Sequence, residues 1–105
     1  MSVDIITEVK NPGGIANLGV DFTNGLDGGD SLGTPVVDVF ETATLEDTTS
    51  TMLVPASTTK VGNIVSALIQ AGDNGKQYSV RFAAPTTNGE KMYHIRKLKV
   101  KDERN

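Results

Sequence analysis

Apolar and polar residues alternate with period two along much of this chain, the signature of strands with one buried face. The clearest run sets Tyr78, Val80 and Phe82 against Ser79, Arg81 and Ala83. Asn88-Gly89 follows it, then a second extended run with Tyr93, Ile95, Leu98 and Val100. Asn-Gly between two such runs predicts a hairpin, because both residues tolerate the positive φ of a type I′ turn. The second run changes parity between Ile95 and Leu98. A bulge near Arg96-Lys97 would turn all four apolar residues to the core; a strand end at Ile95 with a repacked tail is the alternative. Lys97, Lys99 and Lys101 would then line an exposed face of an outer strand, where lysines guard against edge-to-edge pairing.

Two strands alone are marginal in water, so the remaining chain must cover this hairpin. Val3, Ile5 and Val9 share a parity, which makes residues 1–14 an N-terminal arm or edge strand, closed by the turn Asn11-Pro12-Gly13-Gly14. Ile15 to Phe22 is the next strand, with Leu18, Val20 and Phe22 on one face and Asn17, Gly19 and Asp21 on the other. A glycine- and aspartate-rich loop runs from Asn24 to Ser31, with Leu26 or Leu32 as its apolar plug. Val36 to Phe40 is apolar on both parities, which favours a strand near the sheet centre or under a partner. Glu41 to Ser50 is a polar, acidic connection with room for a short helical turn. Met52-Leu53-Val54 is a short strand stopped by Pro55, and Ser57-Thr58-Thr59 a turn. Between Lys60 and Gln70 the apolar positions fit a helical stripe as well as a buried strand; Gly62 and the β-branched pair at 64 and 65 favour the strand. Ala71 to Gly75 is the turn into the hairpin.

Six or seven antiparallel strands closed by a hairpin predict an all-β, immunoglobulin-like β-sandwich, with residues 15–105 as its body and one domain overall. The 105 residues suffice for one modest core. Three Phe, two Tyr and no Trp leave that core to Val, Ile and Leu, so burial borrowed from an assembly would help it. Without cysteine the chain has neither disulfides nor thiolate chemistry. No apolar run approaches the length of a membrane span, and Met1-Ser2-Val3-Asp4 is not the basic start of a signal peptide. The expected place of synthesis is the cytoplasm, with departure only inside a larger particle. A net charge of −3 argues against nucleic acid as a partner.

Candidate chemistry is sparse. His94 is the lone histidine, and no pattern supplies it with a nucleophile or an orienting acid, so it reads as an ordinary strand residue. Asp27 and Asp30 lack the further oxygen ligands and terminal acid of a calcium loop, and Asx-turn chemistry accounts for them. Gly25, Gly28 and Gly29 precede no Lys-Ser/Thr and cradle no phosphate. Catalytic, cofactor and metal sites are therefore all expected to be absent. The one directional feature is the basic run Lys91, His94, Arg96, Lys97, Lys99, Lys101, set against acids that lie mostly before residue 48. A solvated strand face is the plain reading; a protein contact surface on the C-terminal strand is the functional one.

One ordered combination goes further. Lys10, Pro12, Leu18 and Asp21-Phe22 are followed by Gly25-Leu26-Asp27-Gly28-Gly29-Asp30-Ser31-Leu32, Val61-Gly62-Asn63, Gly72 to Gly75, Tyr78-Ser79-Val80 and Thr87-Asn88-Gly89-Glu90. From about Lys10 to Val100 this resembles the fiber-tail adaptors of tailed bacteriophages, small immunoglobulin-like modules encoded among head and tail structural genes. Phe22 and Gly25 stand where many relatives have Trp, and Thr44 to Pro55 has no counterpart. The resemblance implies a non-enzymatic virion protein that packs with its own copies and with connector, tail or fibre subunits. A capsid decoration, cement or adhesion module of the same sandwich class is the alternative.

Overall fold

The alternation read from the sequence is realised as two packed sheets in the computed structural model, which describes residues 7–23, 31–87 and 89–101. The elements are β1 (Thr7–Lys10), β2 (Ala16–Asp21), β3 (Val36–Glu41), a single helical turn α1 (Thr49–Met52), β4 (Thr59–Val61), β5 (Ile64–Ile69), β6 (Gln77–Pro85) and β7 (Lys91–Val100). One sheet has the order β1-β7-β6-β3 and the other β2-β5-β4. Leu18, Val20, Val65, Ala67 and Ile69 from the smaller sheet meet Val37, Val39, Tyr78, Val80, Phe82, Leu98 and Val100 from the larger. Phe22, Leu32 and Met52 complete that core. The chain is thus an all-β sandwich, and its aliphatic core follows from its few aromatics.

Pairing is antiparallel except at the edge, where β1 runs parallel to β7 with Val9 beside Lys99 and Lys10 beside Val100. Lys10 is buried there, and its Nζ donates to the Asn11 and Pro12 carbonyls at 2.7 and 3.3 Å. The presence of β1 outside β7 corrects the expectation that the lysine-bearing strand is outermost. Six strands are joined in antiparallel pairs and the seventh is not, among the described residues.

The hairpin of β6 and β7 pairs without interruption from Gln77 with Lys99 to Pro85 with Lys91. No bulge interrupts it at Arg96-Lys97, which overturns the predicted parity repair. Leu98 and Val100 face the core, while Tyr93 and Ile95 face outward, 54% and 43% exposed. Inward at their level stand Met92, His94 and Arg96. The His94 ring meets Phe22 edge-on with centroids 4.8 Å apart, and Arg96 Nη1 donates to the Gly19 carbonyl at 2.7 Å. These two contacts tie β7 to β2 and to Phe22 just after it, so an exposed histidine and a half-buried arginine take the inward positions expected of Tyr93 and Ile95.

The hairpin loop also departs from a two-residue turn. Thr86 N–H donates to the Glu90 carbonyl and Gly89 N–H to the Thr86 carbonyl, leaving three residues between, with Gly89 at φ 91°. That is the loop class closed by a left-handed glycine. Asn88 lies outside the described residues, as do Val3 and Ile5 and the loop glycines and aspartates at 25–30.

Three further expectations give way. Met52-Leu53-Val54 is not a strand: Met52 ends α1, whose N–H groups reach back to Thr48 and Thr49, and Leu53 makes one isolated bridge to Ile69. The run from Lys60 to Gln70 is two strands, because Gly62 at φ 60° begins a two-residue turn that pairs Val61 with Ile64. β3 is likewise not central. It takes the sheet edge, with Val37 and Val39 inward, and its free side is capped by the segment that follows it: Thr48 N–H donates to the Val39 carbonyl at 2.8 Å and Val39 N–H to Thr49 Oγ1 at 2.9 Å.

Tyr78 anchors the turn before β6. Its hydroxyl accepts the Asp73 N–H at 2.9 Å while its ring is buried. Tyr78→Phe leaves that amide without its acceptor, and is expected to cost about 1 kcal/mol. Thermal melting checks the loss, and faster hydrogen exchange at Asp73 locates it.

Candidate interaction surface

The outward residues of β3, β6 and β7 lie in rows set by register. Val36, Ala83 and Tyr93 form one; Asp38, Arg81 and Ile95 the next; Phe40, Ser79 and Lys97 the third. An isolated bridge from Phe40 to Asp47 extends the third row past the sheet edge. The rows are apolar at one end and charged at the other, and no layer of this chain covers them among the described residues.

Polar contacts stiffen the face. Arg81 Nη2 donates to Asp38 Oδ2 at 2.8 Å, and the guanidinium lies 5.7 Å from the centroid of the Tyr93 ring. The Asp38 carboxylate holds the Arg81 pKa above its ordinary value. Ser79 is buried although it faces outward, because Thr42 Oγ1 and Lys97 Nζ each lie 2.9 Å from its hydroxyl. Lys76, at the same end of β6, pairs with Glu41 at 3.6 Å and Asp73 at 3.5 Å.

Beside these rows a recess of about 340 Å³ is lined by Asp38, Phe40, Leu45, Asp47 and Arg81. Leu45 is 70% exposed and sits at φ 60°, a conformation unfavourable for a bulky side chain. Residues held in sparsely populated backbone conformations cluster at functional sites. Asp47 positions the recess wall: its carboxylate accepts the Thr49 hydroxyl at 2.6 Å and the Thr49 N–H at 2.9 Å. Those bonds, the hydroxyl first, hold the Asp47 pKa below the usual carboxylate value. A lowered pKa means that the contribution is present at neutral pH and lost as pH falls through the lowered value. Below about pH 4, Thr49 amide exchange is therefore expected to rise before the core amides follow, as NMR would record.

The basic run divides by parity: Lys91, Lys97 and Lys99 point outward, whereas His94 and Arg96 point to the smaller sheet. His94 has Phe22 as its ring neighbour. Among the described residues no three of His, Cys, Asp and Glu gather as metal ligands. No helix of the described residues is long and apolar enough to cross a membrane. Phe40, Leu45, Asp47 and the Asp38–Arg81 pair were not singled out from the sequence; the apolar double parity of Val36 to Phe40 was the available signal. No protein-family model and no curated protein matches this chain.

Proposed function

We propose that this chain is a non-enzymatic structural protein of a tailed-phage virion, an adaptor joining connector, tail and fibre components through protein contacts. The observation that carries the reading is the ordered set of residues between Lys10 and Val100 that resembles the fiber-tail adaptors. The finer fold assignment belongs to the same proposal. An immunoglobulin-like sandwich divides its strands as this chain does, with β2, β4 and β5 in one sheet and β3, β6 and β7 in the other. Tyr78, bonding back to Asp73 at the entry to β6, corresponds to the tyrosine corner of such domains. The outer face of the larger sheet supplies the contact surface.

Immunogold electron microscopy of the phage particles, with antibody against the recombinant chain, tests the assignment. Label at the vertex or tail is the expected result. Label spread over the shell would replace the adaptor with a capsid decoration or cement protein, and unlabelled particles would overturn both.

A further inference from the structure

We infer that the outer face of the four-stranded sheet binds a second copy of this chain about a two-fold axis parallel to the strands. The inference rests on the reading of this face as the contact surface, and adds the occupant and its orientation.

The argument begins with the third row. It runs Asp47, Phe40, Ser79, Lys97 across the sheet, acid at one end and ammonium at the other. Turning a copy over about an axis that runs along the strands reverses the row and leaves its height unchanged. With the axis between β3 and β6, Asp47 of each copy lies over Lys97 of the other. The same operation places Arg81 over Asp38 of the second copy in the neighbouring row, so both charged rows match at once. An isologous contact needs this self-complementarity. An axis across the strands would instead lay each strand over itself, setting Asp38 over Asp38 if it passes through that row or Lys97 over Lys97 if it passes through the next, which like charges oppose.

The apolar residues fit the same arrangement. Val36 meets Ala83, a small side chain that leaves a shallow step, and Ile95 enters the recess walled by Leu45 and Phe40. Sheets packed face to face align within about 30°, which keeps these rows in register over their short length. Three strands and the flanking Asp47 position, about 4.8 Å apart and about 20 Å long over the six residues of β3, offer roughly 400 Å² per copy. That is at the small end of specific interfaces, so the expected dimer is weak, with a Kd of about 1–100 µM.

Sedimentation equilibrium from low micromolar to millimolar protein reads the result. The wild type is expected to dimerise, less strongly in high salt. Ile95→Glu, at an exposed position, should raise Kd by at least about tenfold, whereas Val61→Glu on the smaller sheet should leave it unchanged. Asp47→Lys and Lys97→Glu should each weaken the dimer, and the double variant should recover it to within about threefold of the wild type. A wild-type monomer at every concentration overturns the inference, as does a dimer indifferent to Ile95→Glu. A double variant no better than the singles overturns the two-fold register. A monomer whose label still sits at the vertex or tail rejects this contact and leaves the virion assignment standing; a dimer of this kind in a protein missing from particles does the reverse.

Discussion

Phe82→Ala is expected to remove about 3–5 kcal/mol of stability, whereas Ile95→Ser and Tyr93→Ala should each cost about 1 kcal/mol or less. Phe82 has no exposed surface at the centre of β6, between Val37 of β3 and His94 of β7 in register, so its loss leaves a cavity that neighbours on both strands cannot fill. Domains of this size hold only about 5–15 kcal/mol in all, and the Phe82 variant should be partly unfolded or lose most of its denaturant midpoint. Urea unfolding of the three variants beside Leu98→Ala makes the comparison. Leu98 should fall with Phe82, and Tyr93 and Ile95 with the surface. If Ile95→Ser is as damaging as Leu98→Ala, β7 faces the other way at that level and the outer surface described above does not exist.

That reversal is the point at which the sequence misleads, and the reason is physical. Alternation identifies a buried face only where the other face is polar. β2 and β6 meet the condition: Leu18 and Val20, and Tyr78, Val80 and Phe82, were legible as core, and all five are buried. β7 does not. Its outward side carries Tyr93 and Ile95, while inward at the same level stand His94, which packs its ring on Phe22, and Arg96, which reaches a backbone carbonyl. β3 is apolar on both faces for the same reason, and the alternatives of a central or a covered strand were both visible without a way to choose. Met52 to Val54 failed differently, since three apolar residues carry no period and the bonds donated to the Thr48 and Thr49 carbonyls decide the turn. The split at Gly62 was hidden because an apolar run continues through a two-residue turn when its flanking residues pair with each other. Of the candidate surface, the lysines were legible as a group; the recess was not, because it joins Asp38, Leu45 and Arg81 from distant parts of the chain.

Gly72→Ala should lower stability by about 2–4 kcal/mol, summing the penalty for a left-handed non-glycine with that for overpacking. Gly72 has φ 92°, and a Cβ there would stand 2.7 Å from Val100 Cγ2 and 3.1 Å from Met52 Cε. Methionine can swing its methyl away; Val100, fully buried in the last strand, has no such freedom. The turn would have to lift, carrying with it the Asp73 amide that bonds Tyr78. At about 4–8 °C per kcal/mol for a domain near this size, the melting temperature should drop by roughly 8–32 °C. Gly75→Ala is the informative comparison, because its φ of 88° carries similar backbone strain while nothing crowds a Cβ there. It should cost about 1–2 kcal/mol, and the difference between the two isolates the packing.

These effects bear on function through the rigidity of the larger sheet. Phe82 and Tyr78 hold β6 from beneath, and the rows that carry Arg81, Ser79 and Ala83 are the reverse side of the same strand. The proposed self-contact, weak in solution, would strengthen in the proposed assembly, since neighbours fixed in a particle raise the effective concentration well above what a free chain reaches.

Quantitative mass spectrometry of washed, purified phage particles tests the virion assignment most directly. The chain should be present at a fixed ratio to the major shell protein, and the ratio should survive a high-salt wash. Particles that are complete and infectious without this chain would contradict it.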